Sequence, residues 1–420
     1  MIKPTDKNTQ KIPQLRFTGF TGEWVEKRLG DVIEFLPTNS LSREKLNWVQ
    51  GKIKNIHYGD IHTKYSSILN VQEVAMPFLN EDVGVDKFQP ENYCKDGDLV
   101  IADASEDYAD IGKTIELTNV RNDKIVAGLH TFLGREKQKF SIRFKSYLIN
   151  NPKTKEKIKK IAQGISVLSI SKTNLREMEL IFPTLPEQQK IANFLSDIDT
   201  KIDKLSRKKE LMTEYKKGVM QKIFSKKIRF KDEKGNDYPD WQEKRLGEVC
   251  TFFSGGTPTS TNKKYYNGDI PFIKSGEINA TRTEQFINEE AIKNSSAKIV
   301  EIGDILYVLY GATSGCIGIS KIKGAINQAV LCIRTKESKY FIKEYLEFRK
   351  QDILSTYLQG GQGNLSAQIV KKLKFSLPCL EEQKKIAEFL TNLDKKIEII
   401  DTKLEAVKVF KKGLLQGMFV

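Results

Sequence analysis

A chain of 420 residues has room for two or three domains with their own cores, and 39% hydrophobic with 29% charged residues suits a globular protein rather than a disordered one. Its 69 Lys and Arg against 54 Asp and Glu leave a formal charge of +15, which favours a polyanionic partner. No run approaches the roughly 18 apolar residues of a membrane span, and the first residues lack an apolar export segment. Cys94, Cys250, Cys316, Cys332 and Cys379 form no CxxC pair, and their odd number predicts reduced thiols in the cytoplasm. His57, His62 and His130 lack ligand spacing and a neighbouring cysteine, so no metal site is expected.

Taken in order, the chain repeats itself. Arg16-Phe17 and the run Trp24-Val25-Glu26-Lys27-Arg28-Leu29-Gly30 return as Arg229-Phe230 and Trp241-Gln242-Glu243-Lys244-Arg245-Leu246-Gly247. The turn and strand Gly97-Asp98-Leu99-Val100-Ile101 parallel Gly303-Asp304-Ile305-Leu306-Tyr307, and Ala127-Gly128-Leu129-His130 stands where Ala325-Ile326-Asn327-Gln328 does. Each copy then enters a helical pattern, at 144–162 with a break at Pro152 and at 339–358, before a loop rich in Gly, Ser or Asn. Strand-rich runs followed by one late helical stretch predict two related α+β domains. Their inserts, 39–89 against 255–294, share little.

Pro183 to Phe224 and Pro378 to Phe419 match without a gap at a constant offset of 195 (378 less 183, 419 less 224), so the chain is a tandem duplication. Ile191, Leu195, Ile198, Ile202 and Leu205 in the first copy, and Ile386, Leu390, Leu393, Ile397, Ile400 and Leu404 in the second, recur four and three residues apart. Such seams are narrow apolar stripes suited to a facing helix, and two matched seams predict two long helices paired as an antiparallel coiled coil. Lys209, Lys216 and Lys411 fall on seam positions, and Lys216 and Lys411, in the two KKG boxes, predict that the stripe opens there toward a partner or a polar pocket. Thr184 with Glu187 is a capping-box start, weakened in the second copy by Cys379.

The expected architecture is therefore α+β and pseudo-twofold, with recognition domains at 1–182 and 225–377 and helices at 183–224 and 378–420. Glu187 to Phe224 at 1.5 Å per residue makes a strut of about 55 Å, on the order of 16 base pairs of duplex DNA. Arg229 follows directly on the first helix, whereas Arg16 opens the chain. Equivalence of the two copies then requires the N-terminal segment to lie beside the end of the second helix near Phe419, as a ring cut open between residues 420 and 1.

The PxLPEQQKIAxFL and PxLEEQKKIAxFL boxes, the helices ending in KKGxxQxxF, the WxxKRLGxV openings and Gly255-Gly256-Thr257-Pro258 together resemble the specificity subunit of bacterial type I restriction–modification systems. The resemblance covers nearly the whole chain. It implies two target-recognition domains, each reading one part of a bipartite, asymmetric site in double-stranded DNA. It also implies helices that set the spacer and dock two methyltransferase subunits, to which restriction subunits carrying the motor and nuclease are added. S-adenosylmethionine, ATP and Mg would belong to those partners, with none bound by this chain. The first domain departs from the pattern, opening with Glu34-Phe35-Leu36-Pro37-Thr38 in place of a GGTP box.

Two other classes compete. A self-contained methyltransferase needs an Asn/Asp-Pro-Pro-aromatic loop, which the chain lacks, and neither Gly255 to Lys263 nor Gly311 to Gly318 completes a phosphate-binding GxxxxGK[ST]. A basic coiled-coil scaffold predicts no sequence-selective DNA binding and leaves two unlike domains without a use. Lys and Arg near turns hold phosphates, while Asn, Gln, Ser and Thr on loops read base edges. On that basis the candidate DNA contacts are Lys113, His130, Ser169 and Lys172 in the first domain. In the second they are Thr257, Lys274, Thr313, Ser314, Asn327, Gln328, Gln362 and Asn364.

Overall fold

The computed structural model describes residues 11–357 and 365–420. They fall into two compact units, one made of the chain through Leu205 with Lys403–Val420, the other of Ser206–Thr402. Each unit thus contains part of both long helices, Leu185–Phe224 and Leu380–Gly417. No helix among the described residues is long and apolar enough to cross a membrane.

In the first unit an antiparallel ribbon, Val25–Arg28 on Glu179–Phe182, leads into the central helix. A five-stranded sheet follows the order Ile33–Leu36, Thr131–Glu136, Leu99–Ala102, Thr114–Thr118, Ile68–Asn70. Leu99–Ala102 is buried at all four residues, as an unbroken apolar run in the middle of a sheet should be. A second sheet contains the parallel pair Ile125–Ala127 and Lys54–Ile56, with Ala127 opposite Ile56. The second unit repeats this plan. Gln242–Arg245 pairs with Lys374–Leu377 ahead of the distal helix, Ile305–Val308 is buried throughout, and Gly324–Ile326 runs parallel to Ile270–Ile273, with Ala325 opposite Phe272. Gly97 and Gly303 open the turns before the buried strands at φ of 82° and 92°, where a side chain would be strained.

The N-terminal segment lies where equivalence of the copies requires. The Leu15 N–H donates to the Gly417 carbonyl at 2.8 Å, and the Trp24 ring meets Phe419 edge to face in a core shared with Phe144, Tyr147, Phe182, Ile191 and Leu195. The predicted capping role of Glu187 gives way to an ion pair: its carboxylate accepts from Arg16 Nε at 2.8 Å and is 2% exposed. Glu382 does the same for Arg229 and also accepts from Trp241 Nε1 at 2.9 Å, whereas the buried Trp24 Nε1 has no hydrogen-bond partner among the described residues. A guanidinium offers two aligned donors, a better match for a buried carboxylate than one backbone N–H.

Along the seam, Ile191, Leu195 and Ile198 are buried and Ile202 partly so, packed in one cluster with Val407 and Leu414. In the second unit Ile386, Leu390 and Leu393 pack with Met212, Val219, Met220 and Ile223. Leu205 and Ile397 are half-buried, while Ile400 and Leu404 are buried. The seam lysines meet carboxylates of the facing helix: Lys411 with Asp199, Lys216 with Asp394 at 2.5 Å and Lys209 with Asp401 at 2.5 Å. The stripe turns polar without parting.

Two stability predictions follow from these groups. Replacing Glu382 by Ala strands a guanidinium and an indole N–H, so urea unfolding should show a loss of about 3 kcal/mol. Glu187→Ala should cost less, because no indole bond is lost, and equal losses would contradict that account. On the helix Pro152–Ile161, burial pushes the Lys155 ammonium from 10.5 down to about 7, with Lys113 and Lys159 adding to the drop and Asp110 opposing it. Between those values the unfolded chain binds a proton that the folded chain does not, so this residue makes stability rise with pH from about 7 to about 10.5. Lys155→Met should therefore stabilise most at or below pH 7 and least above pH 10.5, which thermal melts across that range would reveal.

Candidate nucleic-acid interface

In both units several of the candidate residues lie at the carboxyl end of the parallel strand pair. In the first, the strand Lys54–Ile56 runs into His57, the N-cap of the helix Tyr58–Thr63, where its Nδ1 accepts from the Gly59 N–H at 3.2 Å. The neighbouring strand ends at Ala127 and turns through Gly128 to His130, whose φ is 53°. Strand pairing therefore brings together two segments that lie far apart in the chain. All three histidines converge on the Tyr58 ring, with centroids at 4.7 Å for His57, 6.0 Å for His62 and 5.2 Å for His130.

Polar contacts tie this cluster to the sheet. His130 Nδ1 lies 3.2 Å from Asp103 Oδ1, and a carboxylate can only accept, so that nitrogen carries the proton. His62 Nε2 donates to the Ala104 carbonyl at 2.9 Å, and Lys113 Nζ donates to the His62 carbonyl at 2.7 Å. Ser169 pairs across from Ala104, and the Ile170 N–H donates to the Asp103 carbonyl at 2.8 Å. Lys172 begins a short helix just beyond, its ammonium 5.7 Å from the Phe132 ring centroid. Burial pushes the Asp103 carboxyl up, with His130 opposing, while burial and then the Arg43 charge push His57 down. Arg43 pairs with the buried Asp60 at 2.6 Å, Lys64 holds the other Asp60 oxygen, and the Lys64 ammonium stands 3.9 Å from the exposed Trp48 ring. The result is a surface of aromatic faces and cations, with hydrogen-bonding edges that suit phosphates and bases.

In the second unit Lys274 leaves the strand Ile270–Ile273 beside Asn327 and Gln328, which follow Gly324–Ile326. Thr257 Oγ1 donates to Gln328 Oε1 at 2.5 Å, and both side chains are exposed. The glycines before Thr257 permit this approach: a Cβ on Gly255 would stand 1.8 Å from the Ile326 carbonyl oxygen. Asn327 caps the following turn by accepting from the Ala329 N–H. Thr313 reaches the Ser275 carbonyl at 3.4 Å and so joins the group, whereas Ser314 turns inward to the Leu309 carbonyl. Gln362 and Asn364 lie outside the described residues.

Sequence reasoning missed Arg43, Trp48, Tyr58 and Asp103. The register supplies the signal for Tyr58. Ala127 and Ala325 are equivalent and face Ile56 and Phe272, so the residues two further on, Tyr58 and Lys274, occupy matching places, as do His130 and Gln328. Among the described residues no group of three His, Cys, Asp or Glu side chains is placed to hold a metal ion. Burial pushes the Cys250 thiol up to about 11 and the Cys332 thiol up to about 12, far from the thiolate form a nucleophile needs.

The chain is 26% identical over 411 residues to a putative type I restriction enzyme specificity subunit, MjaX, of Methanocaldococcus jannaschii, covering 94% of this chain and 92% of that one. It is 29% identical over 164 residues, 36% of this chain and 40% of the relative, to the EcoR124I/EcoR124II specificity subunit of Escherichia coli. Among solved structures, the S subunit of a type I restriction–modification system from M. genitalium superposes with a TM-score of 0.62 at 17% identity, over 97% of this chain and 99% of that one. The family model for the type I restriction–modification DNA specificity domain matches twice, at residues 21–213 and 238–409. With those two matches spanning most of its length, the chain belongs to the type I restriction–modification specificity subunits, proteins of DNA sequence recognition.

Proposed function

We propose that the domains at 1–182 and 225–377 each read one half of a bipartite, asymmetric DNA site. In this account the helices at 183–224 and 378–420 set the spacer between the halves and dock two methyltransferase subunits. Methyl transfer, ATP hydrolysis and cleavage, with S-adenosylmethionine, ATP and Mg, reside on the modification and restriction subunits, in the cytoplasm. This chain supplies the address. The observation that carries the proposal is the contrast between a duplicated frame and the unlike residues at its matching ends, Tyr58 and His130 against Lys274 and Gln328. Two copies of one reader would recognise a symmetric site; two unlike readers on one frame suit an asymmetric one.

The docking role is supported by a feature that each helix carries at an equivalent place. Tyr215 and Phe410, 195 apart, are 54% and 56% exposed, and one turn on stand Gly218 and Gly413, beside which a Cβ would meet nothing within 4 Å. Mid-helix glycine costs about 1 kcal/mol relative to alanine, and its benefit lies in letting another backbone come close. Equal faces on duplicated helices suit two copies of the same partner.

Methylome sequencing of a host with and without this gene tests the core of the proposal. One motif of two constant halves around a fixed gap should lose its methylation, and a methylome that keeps every motif would refute it. Inserting about four residues after Leu205 lengthens the central helix by roughly 6 Å. The motif should keep both halves and gain about two base pairs of spacer, whereas an unchanged spacer would show that the helices do not set it.

A further inference from the structure

Tyr58 and His130 differ from the other residues at the end of the first strand pair in three ways. First, His130 is exposed yet fixed twice, by Asp103 at Nδ1 and by the edge of the Tyr58 ring, and no partner falls on its Nε2 among the described residues. The free nitrogen therefore has a set direction and one hydrogen bond to offer. Second, His130 sits at φ 53°, in the left-handed region that residues other than glycine occupy at a cost and that collects at functional positions. Third, the matching places in the second unit hold Lys274 and Gln328, both exposed, with Gln328 fixed by Thr257. Residues that only support the frame are alike in the two copies, as Trp24 and Trp241, Arg16 and Arg229, and Glu187 and Glu382 are. These two positions keep their place while changing their chemistry: His130 and Gln328 are both exposed, and Tyr58 is half-buried where Lys274 is exposed.

We propose that Tyr58 and His130 are the specificity-determining pair for the first half-site, meeting base edges of duplex DNA through the phenol and the imidazole Nε2. Asp103 is the positioning residue that orients His130. Lys274 and Gln328 hold the corresponding places for the second half-site, with Thr257 in the role of Asp103. The pair reaches the surface on segments 72 residues apart (130 less 58), one of them from the insert that distinguishes the first domain from the second. This proposal rests on the division into two half-sites made above.

The test uses the full chain assembled with its methyltransferase subunits and reads the methylated motif base by base. His130→Asn shortens the side chain while keeping a residue that tolerates the left-handed region. It should lower discrimination about 10-fold at one or more positions of the first half-site and leave the second half-site as it was. Tyr58→Phe and Asp103→Asn should affect the same half-site, and Gln328→Asn should affect only the other. A first half-site unchanged in both His130→Asn and Tyr58→Phe overturns the proposal, as does equal loss across both halves, which marks a purely structural role. A native complex that methylates no bipartite motif removes the half-site division itself, and that outcome is distinct from either.

Discussion

Asp199 and Asp394, equivalent under the offset of 195, are the joints on which helices and domains meet. Each carboxylate takes a lysine from the facing helix, Lys411 or Lys216, and a second donor from the recognition domain, the Tyr147 hydroxyl at 2.7 Å or Lys343 at 3.4 Å. A partly buried carboxylate with two donors resists displacement far more than a surface ion pair does, because losing either donor leaves charge away from water. Within a unit, sliding one helix by a turn would break the ion pair of that unit's joint, and tilting the domain away would break its other bond. Helix register and domain placement are therefore a single constraint within each unit.

That constraint explains how one frame carries two unlike surfaces. The ribbon, the buried strand after its glycine turn and the Arg–Glu pair at the start of each long helix recur at matching places in the two units. At the carboxyl end of the parallel pair the frame holds only the backbone, through strand pairing and through the close approach of Gly128 to Asn55 or of Gly255 to Ile326. Side chains there are free to differ, and they do: histidines and a tyrosine in one unit, amides, threonines and a lysine in the other. Rigidity below and variety above are what an address-bearing subunit requires of its scaffold.

Much of the frame was legible in the sequence because it rests on local patterns or on repetition. The seam from Ile191 and from Ile386, the strands after Gly97 and Gly303, and the place of the N-terminal segment beside Phe419 all came from spacing and offset. The partners of the seam lysines did not, since a lysine at a seam position says nothing of which residue of another helix faces it. Tyr58 was invisible for a related reason. Its importance depends on Ile56 lying opposite Ala127, a pairing between segments far apart in the chain, and the histidines, read as unrelated by their spacing, meet only through it.

The first unit draws its core from segments far apart in the chain: Trp24 and Phe144 pack on Phe419, which is fully buried. During synthesis, the segments around Trp24 and Phe144 must wait, their apolar faces uncovered, until Phe419 at the end of the distal helix is made. The second unit, Ser206–Thr402, is one continuous segment that is made in full before Phe419. The usual order of vectorial folding, amino end first, is thereby inverted, and the interval of waiting is a window in which chaperones or early association with another subunit would have their greatest effect on yield.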